Sequence, residues 1–289
     1  MNEATRAAVG RALGSEVVAC QRQGGGDINE AFRLTLSDGR RVFAKTNARA
    51  AAGFFASEAR GLAWLAEPGA LRVPAVLGVG AGEEEATPFL LLEWIEPAAP
   101  ARDFDERLGA SLAALHRTGA SAFGLDHDNF IALLPQDNRP APSWATFYRE
   151  RRLLPLFERA RRDRLSDVAL EPMAERLLAR LDQLVGPPEP PARLHGDLWG
   201  GNLHVGSQGQ PVLIDPAAYA GHREIDLAMM RLFGGFGERV FEAYEESHPL
   251  DPDHDERIAL YQLYPLMVHV NLFGGGYLAQ VEAALASLV

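Results

Sequence analysis

The sequence predicts an α+β protein of two lobes, a small β-rich lobe over residues 1–96 and a large, mostly helical lobe over 97–289. Three observations predict it. Strand-like alternation with tight-turn residues fills the first third, apolar residues at helical spacing dominate after Ala98, and a break at Glu96-Pro97 separates the two patterns. A chain of 289 residues suffices for two such lobes and buries roughly three-quarters of its unfolded surface.

Taken in order, Ala31 to Ser37 alternates apolar and polar residues, Asp38-Gly39 supplies a turn, and Arg41 to Thr46 resumes in β-rich residues, which makes a hairpin. Phe54 to Ala66 places Phe55, Ala59, Leu62 and Leu65 on one helical face, and Pro68-Gly69 stops it. Two apolar runs, Ala75 to Val79 and Phe89 to Trp94, flank the acidic Gly82 to Glu85 stretch as a second hairpin. Beyond Ala98 the helical segments are Asp105 to His116, Trp144 to Arg161, Glu171 to Val185, Ile225 to Phe233, Arg239 to Glu246 and Glu256 to Leu272. A single β interruption is expected there, Arg193-Leu194 followed by Leu203 to Val205 and Val212 to Ile214 around a Gly206 to Gln210 turn. The prolines 187, 188, 190 and 191 read as a stiff spacer. No internal repeat is present.

Composition narrows the function. Lys plus Arg number 28 against 39 Asp plus Glu, a net charge of −11 that repels phosphate backbones and anionic lipid, so neither nucleic acid nor membrane is an expected partner. The single cysteine, Cys20, excludes an intramolecular disulfide and suits a reducing compartment. The N-terminal stretch lacks a signal-peptide core, and no apolar run approaches the ~20 residues that cross a bilayer. The expectation is a cytoplasmic protein, monomer favoured.

The sharpest signal is His195-Gly-Asp-Leu-Trp-Gly-Gly-Asn202, followed by Ile214-Asp215-Pro216. Its spacing is that of the kinase catalytic loop H-x-D-x-x-x-x-N. Phosphoryl transfer accounts for each residue type: Asp197 accepts the proton of the attacking hydroxyl, while the Asn202 amide oxygen and the Asp215 carboxylate are hard ligands for Mg²⁺ on the phosphates. Upstream, Gly24, Gly25 and Gly26 open a hairpin whose backbone can approach the phosphates of ATP, although such a run also serves as a plain flexible turn. Lys45 lies on the second strand after that loop and Glu58 on the helix after it, the phosphate-positioning lysine and its ion-pair partner, although a lone strand lysine is usually a solvated edge charge. Glu93 and Ile95, at the last strand's end, offer backbone groups to the adenine edge, and the Trp94 side chain between them suits a buried strand end equally. On the substrate side, Trp199 offers a flat face to a sugar ring, with core packing as the alternative. His269 and Asn271, near Gly274-Gly275-Gly276, can reach sugar hydroxyls, though a core histidine fits His269 as well. The arginine-rich Arg149 to Arg164 reads as an amphipathic helix with a solvated face.

HGDLWGGN, with IDPAAYAGHREIDLAMMRLFGGF, FGLDHDNFIALLPQDNRPAPSW and YQLYPLMVHVNLFGGGY, resembles the fructosamine kinase (ketosamine 3-kinase) family, a branch of the aminoglycoside phosphotransferase-like kinases, over nearly the whole chain. HGD with IDP marks the superfamily, whereas the Trp after HGDL, PQDN and the FGGF pair mark the branch. The resemblance implies a protein-kinase-like fold and ATP-dependent phosphorylation of the sugar 3-hydroxyl of fructosamines or related ketosamines, lysine adducts included, after which the adduct falls apart. It further implies Asp197 as base, Asn202 and Asp215 as magnesium ligands, Lys45 with Glu58 as the phosphate-positioning pair, and a structural Asp226. Some members carry a loop cysteine where this sequence has Asp27; Cys20 lies outside that loop. Two other readings of the motifs stand beside this one, a kinase of another small hydroxyl compound such as an aminoglycoside or amino alcohol, and a nucleotide-binding protein without catalysis.

Overall fold

Local capping and turn chemistry set the first elements. The computed structural model describes residues 1–24, 28–82, 85–165 and 170–289. Asn2 caps α1 (Glu3–Leu13) by accepting from the Thr5 N–H at 2.8 Å, and Gly14, at φ +63°, turns the chain out. There follow β1 (Val17–Gln23), β2 (Glu30–Leu36), β3 (Arg41–Thr46), α2 (Phe54–Ala66), β4 (Val76–Gly80) and β5 (Phe89–Glu93). Every adjacent pair in the resulting sheet, ordered β1-β2-β3-β5-β4, is antiparallel. Gly39, at φ +86°, makes the β2–β3 turn. Val9, Val17, Leu34, Leu36, Val42, Ala44 and Leu91 are buried together, so α1 covers the core-facing residues of the sheet. Both expected hairpins and the expected helix form. Gly25, Gly26 and Asp27, with Glu83 and Glu84 of the acidic turn, lie outside the described residues.

The chain continues through α3 (Phe104–Thr118), β6 (Asn129–Ile131), β7 (Leu134–Gln136), α4 (Trp144–Phe147), α5 (Leu154–Arg162), α6 (Leu170–Leu184) and β8 (Ala192–Leu194). Then come β9 (Leu203–Val205), β10 (Pro211–Leu213), β11 (Tyr219–Gly221), α7 (Glu224–Phe233), α8 (Glu238–Ser247), α9 (Ile258–Phe273) and α10 (Leu278–Leu288). The helix expected from Trp144 is divided by a π-helical segment, Tyr148–Leu153, after which the Leu154 N–H donates to the Arg149 carbonyl. Pro155, which has no N–H to give, starts the next helix. The segment is amphipathic with a solvated face that holds Arg161 and Arg162, as expected, but Arg152 is not on that face and is fully buried. The second part also holds more β structure than expected: β6 pairs with β7 and β8 with β11, three-residue strands too short to show a period.

Contacts divide the chain into two units, Met1–Phe104 with Leu203–Pro216, and Asp105–Asn202 with Ala217–Val289. The division falls at Phe104 rather than Glu96, and the β9–β10 hairpin joins the first unit through Leu213 N–H to the Arg72 carbonyl and Ala101 N–H to the Gly209 carbonyl, both 3.0 Å. The core of the second unit gathers Phe147, Tyr148, Leu177, Leu181, Leu194, Tyr219, Leu263 and Val270, with α9 buried along most of its length. Among the described residues, no helix is long and apolar enough to cross a membrane.

Candidate active site

In the second unit the HGD segment is bent by glycine and anchored from behind. Gly196 sits at φ +81°, and a Cβ there would lie 2.2 Å from the Ala217 carbonyl oxygen, so only glycine fits this close approach. The His195 and Gly196 N–H groups donate to the two carboxylate oxygens of Asp226 at 2.8 and 2.9 Å, and Ala217 N–H returns to the His195 carbonyl at 3.0 Å. Asp226 is fully buried and also meets His116 Nε2 at 3.3 Å, while His116 Nδ1 meets the Tyr244 hydroxyl at 2.8 Å. Desolvation of a carboxylate is offset here by converging donors. The structural reading of Asp226 thus acquires a mechanism, since it fixes the backbone on which Asp197 is mounted.

Asn202 lies in a 3₁₀ turn and its amide nitrogen donates to Asp197 twice, to the carbonyl at 2.8 Å and to carboxylate Oδ2 at 3.2 Å. That pairing fixes which end of the amide is nitrogen. Trp199 is 42% exposed, which removes the core-packing alternative, and its ring lies over Gly201, where a Cβ would come within 2.2 Å of it. Gly200 and Gly235 pack backbone to backbone: a Cβ on Gly235 would stand 2.7 Å from the Gly200 Cα. The FGGF pair therefore clamps the loop between Asp197 and Asn202.

His269 is half-buried in an aromatic group that the sequence did not single out, Phe233, Tyr277 and Phe273 with ring centroids 4.7, 4.8 and 5.5 Å away. Its Nδ1 lies 2.8 Å from the Pro265 carbonyl and must donate to it, which leaves Nε2 an acceptor, and burial lowers its pKa toward the neutral form. Phe273 is 59% exposed. Asn271 is a correction. Its side chain is buried, and its amide nitrogen donates to the Met267 and Leu156 carbonyls at 2.7 and 3.1 Å, so it knits α9 into the core.

In the first unit, Lys45 Nζ lies 2.7 Å from Glu58 and 2.5 Å from Asp215. Lys45 is buried on β3 and Glu58 reaches it from α2. Burial by itself would lower the lysine pKa, but the Asp215 and Glu58 charges reverse this and hold the ammonium above its ordinary range. Glu58 moves upward instead, because burial and the nearby Asp215 charge outweigh its share of Lys45. One cation serves two carboxylates, and Glu58 is the more buried of them. Asp215 adopts a left-handed backbone at φ +56°, the strained conformation frequent at functional turns. Glu93 ends β5, its ladder partner being Val42, and its carboxylate is engaged by Arg72 at 2.6 Å. Trp94 and Ile95 leave the ladder there. Gly24 is exposed at the end of β1, and nothing lies within 4 Å of a Cβ placed on it.

The family model for fructosamine kinase matches residues 1–289. The chain belongs to the fructosamine kinase family. A Thermus thermophilus protein named "Probable ketoamine kinase" is 42% identical over 263 residues, 91% of each chain. The crystal structure of a Thermobifida fusca protein assigned as a fructosamine-3-kinase superposes with a TM-score of 0.91 at 39% identity, covering 100% of this chain and 99% of that one. A thermostable aminoglycoside phosphotransferase mutant, in ternary complex with ADP and hygromycin B, shares the fold at TM-score 0.65 and 17% identity, over 98% of each chain. The architecture is thus the protein-kinase-like α+β fold, and this member of the fructosamine kinase family is an ATP-dependent phosphotransferase.

Proposed function

We propose that this fructosamine kinase phosphorylates the sugar 3-hydroxyl of ketosamines, the adducts formed when reducing sugars glycate small amines or lysine side chains. The observation that carries the reading is Asp197, held by the Asn202 amide on a loop whose backbone is tied to buried Asp226. A carboxylate so restrained keeps its oxygen where it accepts the proton of the attacking hydroxyl, the positioning that phosphoryl transfer most needs. Beside it, exposed Trp199 supplies an apolar face for a sugar ring. The neutral His269, with Nε2 as acceptor among aromatic rings, suits a ketosamine, whose secondary amine is largely protonated near neutrality. A phosphate installed at C3 leaves after enolisation toward C1, and hydrolysis of the resulting imine frees the amine, so the reaction is a deglycation.

Lys45 positions the ATP phosphates while Glu58 orients it, with Gly24 lining the phosphates and the backbone of Glu93 and Ile95 meeting the adenine. Asn202 and Asp215 would hold Mg²⁺. The donor set fits, since both offer hard oxygens and Asn202 turns its amide nitrogen toward Asp197. Two protein ligands are too few for a closed cage, so Mg²⁺ held by them would share its remaining positions with phosphates and water. Bound with nucleotide at Asn202 and Asp215, Mg²⁺ would supply neutralisation of phosphate charge.

The test is ATP consumption against fructosyl-lysine, ribulosyl-lysine, an aminoglycoside and an amino alcohol. Ketosamine turnover with release of free lysine is expected. Turnover of the aminoglycoside or amino alcohol alone would replace the ketosamine reading with another small hydroxyl acceptor.

A further inference from the structure

Behind the catalytic loop, wholly within the second unit, lies a buried guanidinium whose hydrogen-bond acceptors among the described residues are uncharged. Arg152 is 0% exposed. Its Nη1 donates to the Asp137 and Arg151 carbonyls at 2.8 and 3.0 Å, and its Nη2 to Asn138 Oδ1 at 2.6 Å. The guanidinium carbon stands 3.9 Å from the Tyr219 ring centroid and 4.6 Å from that of Phe147. An arginine taken out of water costs several kcal/mol, and carbonyls, an amide and aromatic faces are what offset it here. Lysine could not replace it, because the planar fork reaches Asp137 and Asn138 together while lying on the Tyr219 ring.

From Asn138 the hydrogen bonds run in one direction. Asn138 Nδ2 donates to Asn129 Oδ1 at 2.8 Å, which also accepts from Gln136 Nε2 at 2.9 Å. Asn129 Nδ2 then donates to the Ala218 carbonyl at 2.8 Å, and Gln136 Nε2 lies 3.3 Å from the Ala217 carbonyl. The Tyr264 hydroxyl closes the group by donating to Gln136 Oε1 at 2.5 Å. Ala217 and Ala218 form the strip against which the HGD segment rests: Ala217 N–H donates to the His195 carbonyl, and the Ala217 carbonyl oxygen occupies the space that only a glycine at 196 leaves open. Asp226 grips the loop from one side by its N–H groups. This amide relay fixes the strip that receives its carbonyl.

We propose that Arg152, acting through Asn138, Asn129 and Gln136, is a positioning residue for Asp197, and that the buried side chains of the PQDN segment exist to hold Ala217–Ala218 against His195–Gly196. The inference rests on Asp197 as the base. A base displaced by about 1 Å loses up to about 100-fold in rate, so loosening the strip lowers kcat while nucleotide affinity stays as it was.

The experiment compares Arg152→Lys and Gln136→Met with wild type by kcat, KM for ATP, melting temperature and hydrogen exchange. Expected are a kcat lowered about 10- to 100-fold, an unchanged KM for ATP, and faster exchange confined to residues 193–199 and 216–220. Gln136→Met keeps its bulk and leaves Arg152 untouched, so it decides the matter if Arg152→Lys does not fold. Wild-type kcat with unaltered local exchange in a folded variant overturns the proposal. So does exchange that rises evenly through the unit with kcat lowered only by the unfolded fraction, the mark of a purely structural role. The exchange measurement needs no substrate, so it stands even if ketosamines prove to be the wrong acceptors.

Discussion

At the residue scale, Asp197 and Lys45 face opposite physical problems. In the proposed reaction Asp197 must keep a carboxylate available to a hydroxyl proton, and Asn202 donates to its Oδ2. Asp197→Asn retains the shape and removes the acceptor, so kcat should fall at least ~100-fold with KM for ATP nearly unchanged, as steady-state kinetics would show. Wild-type turnover in that variant removes Asp197 from the role. Lys45, by contrast, is buried between Glu58 and Asp215. Lys45→Met strands the Glu58 carboxylate in a dry site, a loss of about 3–5 kcal/mol in stability. Glu58 is already raised by burial and rises further without Lys45, so in the variant its folded pKa exceeds the unfolded one. Such a group stabilises below its unfolded pKa and loses that contribution as pH climbs. The stability gap between Lys45→Met and wild type, measured by urea unfolding, should therefore be wider at pH 7 than near pH 5. A gap independent of pH would contradict this account of the pair.

At the scale of elements, the turn after α7 shows how a glycine pair serves two purposes. Gly234 and Gly235 both have positive φ, +69° and +93°, but a Cβ on Gly234 meets nothing within 4 Å, whereas one on Gly235 would press on the Gly200 Cα at 2.7 Å. Gly234→Ala should carry backbone strain alone, about 1–3 kcal/mol. Gly235→Ala should carry that strain and also displace the turn between Asp197 and Asn202. Thermal melting should fall in both, while kcat should fall in Gly235→Ala only. Equal kcat in the two variants would mean that the close approach does not govern the loop.

At the scale of the whole molecule, acid is the natural denaturant. Burial lowers the pKa of His222, His248 and His269, that of His248 to about 4, with Glu224, Glu189 and the Pro265 carbonyl pulling weakly the other way. In the unfolded chain these imidazoles titrate near 6.5, so between pH 6.5 and 4 the unfolded state binds more protons and stability rises with pH. Asp137 and Glu189, lowered by Arg139 and Arg223 against their own burial, act in the same sense at lower pH. The urea midpoint should hold at neutrality and decline as pH drops from 6.5 toward 4, and His248→Gln should flatten the decline. A midpoint that rises on acidification would mean that these histidines do not govern the pH response.

The elements legible in the sequence are those that carry their own periodicity or punctuation. The β2–β3 hairpin with its Gly39 turn and the helix over Phe54–Ala66 form where alternation, spacing and Pro68-Gly69 place them. The three-residue strands β6, β7 and β11 had no such signal, since so short a run has no period and exists through its partner. The same division holds for the site. The spacing of His195, Asp197 and Asn202 was enough to suggest phosphoryl transfer, because the roles proposed for Asp197 and Asn202 are ones that a carboxylate and an amide can fill. What only the tertiary structure decided is which side chains support it. Asn271 and His269 are two residues apart on one helix, yet packing spends the first on the core and sets the second among Phe233, Phe273 and Tyr277. Arg152 belonged by pattern to a solvated arginine-rich face, and a π-helical turn before Pro155 places it in the interior against Tyr219. Local sequence sets periodicity and reactive groups; burial and contact depend on residues far away in the chain, and no spacing rule encodes them.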